Sequence, residues 1–228
     1  MGLNVSRRGL IGGLAVLCAS GAEALADEGA VQGIRPASFV ADEQYFDPAL
    51  LPPPEAETDF PVTPIDPSSI PERFRPQLVD FDGPEDCGSL VVDPGERLLY
   101  QVLFRGQARR YGVGVGRAGF AWSGSAKIGM KRRWPRWVPP REMVDRDQNA
   151  RKWVNGQPGG PTNPLGSRAL YLFAGGKDTL YRIHGTNEPH TIGKAVSSGC
   201  IRMLNQDVAE LFENVNVDTP VTVRAATG

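Results

Sequence analysis

Between Ser89 and Gly116 the apolar residues are interrupted every few positions by residues that turn a chain, and this rules out a helical bundle for that stretch. Ser89-Leu90-Val91-Val92 runs into Asp93-Pro94-Gly95-Glu96, whose Pro and Gly suit the two central positions of a type II turn. Arg97–Phe104 follows, then Arg105-Gly106-Gln107 as a second turn, then Ala108–Gly116, so the three segments read as a β-meander. Gly112, Gly114 and Gly116 alternate in the third strand, which marks the close approach of a substrate or a packed neighbour. Ala169–Phe173 and Thr179–His184, joined around Gly175-Gly176, predict a further hairpin, and Val221-Thr222-Val223 a last short strand. One helix stands out: Val208, Leu211, Phe212 and Val215 fall on one face, with Asn205 as the expected N-cap and Asp207 and Glu210 near the positive end of its dipole.

The remainder divides by composition. Ser6-Arg7-Arg8 precedes an apolar run, Leu10–Ala19, too short to span a bilayer, and Ala24-Leu25-Ala26 offers the small residues read by a signal peptidase. Residues 1–26 are therefore expected to be a signal peptide, twin-arginine-like in its paired arginines, leaving no transmembrane segment in the mature chain. Residues 27–87 are rich in Pro and acidic residues and read as an extended tether, or as a loop belt on which Phe74, Leu78 and Phe81 dock. Trp122–Gly166, rich in Trp, Arg, Pro and Gly, is expected to be an irregular inserted loop, with Trp122 packed beneath it. The rest forms one mainly β domain, about 88–226.

The chemistry concentrates in His184-Gly185-Thr186-Asn187-Glu188-Pro189 and in Ile192-Gly193-Lys194-Ala195-Val196-Ser197-Ser198-Gly199-Cys200-Ile201-Arg202-Met203. A thiol attacks well only as thiolate, and a neighbouring imidazole can remove its proton. Backbone amides around Gly199 and Cys200 are candidates for an oxyanion hole, and Arg202 supplies a fixed charge for a substrate carboxylate or for the thiolate. A Cys with an upstream His leaves a second reading open, a small buried apolar side chain without chemistry. His184, His190, Cys87 and Cys200 lack close-pair zinc spacing, so no metal site is expected.

Taken whole, the segment resembles the signature of the L,D-transpeptidase catalytic domain, or YkuD domain: H-G-T, then I-G-x-A-V-S, then S-x-G-C-I-R-M, with sixteen positions from His184 to Cys200. The similarity extends through Asn163-Pro164-Leu165-Gly166, Leu170-Tyr171 and the helix after Asn205. It implies a β-sandwich with short helices and an inserted lid loop, no metal and no organic cofactor. By the same resemblance Cys200 is acylated by a peptidoglycan tetrapeptide stem with loss of D-Ala, and His184 is the base. The acyl group then passes to a diaminoacid side-chain amine as a 3-3 cross-link. Gly199, Ser198, Arg202, Gly185 and Thr186 would line the oxyanion and substrate sites. Water or the amine of an envelope protein are alternative acceptors, and a non-catalytic wall-binding module is the alternative of another class. Many members carry His where this chain has Ser198.

The implied location is the periplasm. Lys127, Lys131, Arg132, Arg133, Arg136 and Arg141, interleaved with Trp134 and Trp137, would suggest single-stranded nucleic acid in a cytoplasmic protein. With an export leader and a net charge of −1, no nucleic-acid partner is expected, and the run reads as a solvated face or a lid presenting cations to acidic stems. Cys87 is expected to be free of Cys200, since a bridge would block the nucleophile.

Overall fold

The computed structural model describes residues 59–117, 122–197 and 199–226; the expected export leader, the expected tether as far as 58, and Ser198 lie outside the described residues. In chain order the strands are β1 (Gln77–Asp80), β2 (Leu90–Asp93), β3 (Leu98–Val102), β4 (Gln107–Gly112), β5 (Val115–Gly116), β6 (Gly124–Arg133), β7 (Arg168–Ala174), β8 (Lys177–His184), β9 (Ala195–Ser197), β10 (Ile201–Arg202) and β11 (Pro220–Val223). The helices are α1 (Arg141–Arg146), α2 (Gln148–Arg151) and α3 (Asn205–Asn214). The fold is mainly β with short helices, as expected. Hydrogen bonding runs through nine strands in the order β1-β4-β3-β2-β11-β6-β7-β8-β10, with β5 and β9 forming a separate pair.

Leu90, Val91 and Val92 are inaccessible on both faces of β2 because that strand lies inside the sheet, between β3 and a parallel β11. The meander forms as read, but its first turn differs: the left-handed residue is Arg97 (φ 59°) and not Gly95, so the turn is not type II. Asp93 Oδ1 instead accepts the Glu96 amide at 3.0 Å. The second hairpin turns through Gly175 and Gly176, both at positive φ, the conformation that matches strand twist. The alternating glycines serve packing: a side chain at Gly112 would strike Phe74, and one at Gly114 the Thr191 carbonyl.

Two expectations change. The stretch expected to be irregular begins with the ten-residue strand β6, which pairs with both β7 and β11. A bulge between Ile128 and Met130, where Gly129 makes room for the Phe173 ring, breaks its alternation. Its cations are used inside the fold: Lys131 Nζ donates to the Phe212 and Val215 carbonyls at the end of α3, each at 2.6 Å, and Arg133 meets Glu213 at 2.8 Å. The lid proper is shorter, and holds α1 and α2.

The described part of the expected tether, 59–87, is also folded. β1 pairs with β4, and Ile70 and Phe74 bury against Leu98, Ile192 and Leu204. Trp134, 5% exposed, donates its indole N–H to the Phe60 carbonyl at 2.8 Å and meets the Phe60 ring edge-on. Phe74 therefore docks, whereas Leu78 points outward at 56% exposure.

Helix α3 packs on β7 and β8 through Val208, Leu211 and Phe212. Its N-cap is Leu204, without a side-chain cap, and Asn205 is the first helical residue. Asn205 Oδ1 instead accepts the amides of Ser167 (2.9 Å) and Thr186 (3.2 Å), tying the helix start to the end of β8. Asp207 is turned inward, 3% exposed, with Oδ2 unpartnered.

Candidate active site

His184 is the last residue of β8, and Cys200 immediately precedes β10. These strands run parallel with Arg202 beside His184 and Ile201 beside Ile183, so two residues upstream on each strand stand Cys200 and Arg182. Cys200, Arg182, His184 and Arg202 thus stand on the two strands at one edge of the sheet. Their frame is backbone: Met203 N donates to the His184 carbonyl, and Gly114 and Arg202 exchange both hydrogen bonds, each contact at 2.8 Å. Because Gly114 lies so close to neighbouring backbone, this segment tolerates no larger residue there.

The His184 ring is 5% exposed, and Nδ1 lies 2.6 Å from the Gly185 carbonyl. A carbonyl only accepts, so Nδ1 carries a proton and Nε2 is the basic nitrogen. Burial brings the imidazole pKa down to about 4; backbone hydrogen bonds to Gly185 and Leu165 pull upward, and Arg202 and Arg182 push further down. His184 is therefore neutral at pH 7, as a general base must be. Burial also pushes the Cys200 thiol up, against the charges of Arg182 and Arg202. The two groups rest as thiol and neutral imidazole, and ionisation of the sulfur must be coupled to proton transfer.

The loop before Cys200 is held by Ser197, a residue the sequence reading passed over. Its Oγ donates to the Cys200 carbonyl at 2.6 Å and accepts the Gly199 amide at 3.1 Å. Gly199 takes φ 125°, open to glycine and strained for any other residue. Since its N–H is turned to Ser197, Cys200 N–H is the remaining amide of the expected pair. Arg202 Nη1 sits 2.8 Å from Glu188 Oε2, in a half-exposed ion pair. Gly185 and Thr186 serve as scaffold here: a side chain at Gly185 would strike Asn205 Oδ1, and Thr186, 3% exposed, accepts the Glu188 amide through Oγ1 at 3.0 Å. His190 is exposed on a short turn, Pro189–Thr191. Cys87 and Cys200 are not bridged.

Trp122 packs against the main core cluster. Its ring lies 5.6 Å from that of Tyr181, and both line a small apolar cavity with Pro94, Val115, and the two chain neighbours of Cys200, Gly199 and Ile201. Also missed were Asp178 and Arg182, whose spacing of four residues would separate them on a regular strand. Opposite Leu172 the partner strand bulges through Thr179–Tyr181, with Leu180 at φ 63°. That detour brings Arg182 onto Asp178 in a two-pronged contact of 2.6 and 2.7 Å. Among the described residues, no group of three or more His, Cys, Asp or Glu side chains gathers to hold a metal ion.

Comparison with known proteins agrees with this geometry. The chain is 36% identical over 141 residues to a probable L,D-transpeptidase, ErfK/SrfK, of Escherichia coli, covering 59% of this chain and 43% of that protein. It is 38% identical over 114 residues to a second, YbiS, of the same organism, covering 48% and 35%. The chain thus matches less than half the length of either relative. A crystal structure from Brucella melitensis, described as a probable carnitine operon oxidoreductase, is 52% identical, covers 65% of this chain and 92% of its own, and has a TM-score of 0.47. That description is of that protein; the match that decides the family spans residues 88–223 and is to the family model of the L,D-transpeptidase catalytic domain. A nucleophile candidate ahead of a two-residue strand, a buried neutral histidine on the strand paired with it and this match over most of the β domain lead to one assignment: the chain belongs to the YkuD family of L,D-transpeptidase catalytic domains.

Proposed function

We propose that this chain is an exported peptidoglycan L,D-transpeptidase with Cys200 as nucleophile and His184 as general base. The observation that supports it most is the parallel pairing of β10 on β8, which sets Cys200 and Arg202 alongside Arg182 and a buried, neutral His184. In the first step Cys200 Sγ attacks the carbonyl carbon of the L-configured diaminoacid centre, and the thiol proton passes to His184 Nε2. The Cys200 N–H stabilises the oxyanion, the C–N bond to D-Ala breaks, and the departing amine takes the proton from His184. A side-chain amine of a second stem then attacks the thioester and gives a proton to His184, which returns it to the leaving sulfur. The product is an amide, the 3-3 cross-link. Arg202 receives a stem carboxylate by exchanging it for Glu188. Gly199 precedes the nucleophile, Ser198 is kept as a substrate-side residue on the resemblance alone, and Gly185 and Thr186 act through the Asn205 contacts that fix the His184 loop.

Peptidoglycan stem peptides are the partner, and the leader places the reaction in the periplasm. The test is to incubate the protein with purified tetrapeptide muropeptides and read the products by mass. Loss of D-Ala with joining of a second stem supports the reading. Loss of D-Ala with gain of water only makes the protein an L,D-carboxypeptidase, and transfer to an added peptide amine makes it an anchoring enzyme. Stems bound but unchanged would leave a wall-binding module and refute the proposal.

A further inference from the structure

Asp178 and Arg182 form an ion pair whose side chains are only 2% and 15% exposed. Withdrawing both charges from water is costly, and such pairs are often no more stable than apolar residues of the same shape. This pair is nevertheless built with care. Arg182 Nη1 and Nη2 each meet an Asp178 oxygen, Nη1 also donates to the Tyr181 carbonyl at 3.0 Å, and the guanidinium lies 4.3 Å from the Tyr171 ring centroid. The guanidinium is left with little freedom to move. The strand pays for this arrangement in conformation, since Leu180 sits left-handed with its side chain 74% exposed.

That bulge lies against the nucleophile. Cys200 Sγ is 4.0 Å from the Leu180 carbonyl, and the register extended from Arg202 and His184 sets Cys200 beside Arg182. The Arg182 charge and backbone amide both act to lower the thiol pKa, against the burial that raises it. Other charged or titratable groups around it are His184 and Asp178 on β8, Arg202 on β10, Tyr171 on β7 and Tyr181 within the bulge. Arg202 is paired with a half-exposed carboxylate, Glu188, and is available for exchange with substrate. Arg182 is paired with a buried one and is not.

We propose that Arg182, locked by Asp178 and Tyr171 across the β8 bulge, is the positioning residue that stabilises the Cys200 thiolate as its proton leaves for His184. Arg202 is thereby left for the substrate. The step needs no further reagent: one proton moves from Sγ to Nε2, and the Arg182 charge offsets the charge left on sulfur. Of the charges acting on the thiol, Arg182 has the largest effect, followed by Arg202, with Asp178 opposing both.

The inference rests on Cys200 being the nucleophile, but its test needs no peptidoglycan. In a Cys87→Ser background, the rate of Cys200 alkylation by iodoacetamide, followed by intact mass from pH 6 to 11.5, gives the midpoint of thiol ionisation. Arg182→Gln should raise that midpoint by about one pH unit, with about a ten-fold loss of alkylation rate at pH 7, and Arg202→Gln should raise it less. An unchanged midpoint in Arg182→Gln, or a larger shift in Arg202→Gln, overturns the proposal. If circular dichroism shows Arg182→Gln unfolded, Arg182→Lys is measured. It keeps the charge without the fork, so its midpoint must lie above that of the parent, and one equal or lower overturns the proposal. Retention of D-Ala exchange by Cys200→Ala would instead remove the proposed function and leave the titration standing.

Discussion

Asp207 sits in the third helical position of α3, where the helix dipole favours a carboxylate, yet burial dominates and brings its pKa up from 3.8 to about 7. Neighbouring Glu210 adds to the rise, and Arg109 opposes it. The folded state therefore holds a proton on Asp207 that the unfolded chain has lost, and the stability this contributes below pH 3.8 disappears as pH climbs to about 7. At about 1.4 kcal/mol per pH unit, some 3 kcal/mol should be lost between pH 4.5 and 7.5. His184 has the opposite sign: its pKa falls from 6.5 to about 4 on folding, so its contribution is complete above pH 6.5 and lost as pH falls through 4. The two slopes offset one another in the parent protein over most of pH 4 to 6.5. Asp207→Asn removes one of them. The amide has its own cost for an unpartnered donor, but that cost does not depend on pH. Urea unfolding followed by tryptophan fluorescence from pH 4.5 to 7.5 should show the stability of Asp207→Asn gaining about 3 kcal/mol on the parent across the range. Stability curves that stay parallel would refute the account of a protonated, buried Asp207.

Cys200→Ala should abolish D-Ala release with an unchanged circular dichroism spectrum, whereas Cys87→Ser should keep most activity. His184→Asn should lower kcat/KM by about 10²-fold or more, and in the parent the acid limb of the kcat/KM profile should fall near pH 4 to 5, below the ordinary histidine range, as protonation removes the base. A limb at pH 6.5 or higher would contradict a buried neutral ring. Arg202→Ala should raise KM for carboxylate-bearing stems by about ten-fold with kcat little changed, the scale of one charge-assisted contact, and Glu188→Gln should lower it by freeing Arg202. Phe74→Ala should cost about 3 kcal/mol in stability, because its ring fills the space over Gly193 and between Ile70, Leu98 and Ile192.

The pieces legible in the sequence were those whose signals are local. The β2–β4 meander, the Gly175-Gly176 hairpin and the apolar face of α3 each declare themselves within a dozen residues, and the H-G-T and S-x-G-C-I-R-M segments brought His184, Cys200 and Arg202 together. What stayed hidden depends on partners distant in the chain. β6 looked like a loop because its lysines and arginines find their acceptors at the end of α3, about eighty residues away, and because a bulge at Gly129 breaks its alternation. Asn205 resembled a cap until the Ser167 and Thr186 amides claimed its oxygen. Asp178 and Arg182 meet only through a second bulge, which no periodicity announces. The Phe60 contact with Trp134 likewise joins two stretches that each read as coil.

The placing of β11 bears on how such a chain is made. The last strand of the domain enters the middle of the sheet, parallel to β2 on one side and antiparallel to β6 on the other. Until Pro220–Val223 leave the ribosome, β2 and β6 are two unsatisfied edges with no bond between them, and the halves β1-β4-β3-β2 and β6-β7-β8-β10 cannot join. Synthesis and folding are thereby separated in time: the chain must be made as far as Val223 before the sheet can close. A product stalled before Pro220 would lack more than one short strand. It would be two half-sheets with open inner edges, exposed to proteolysis and to pairing with other unfinished chains, and its β8–β10 corner would have no completed sheet behind it.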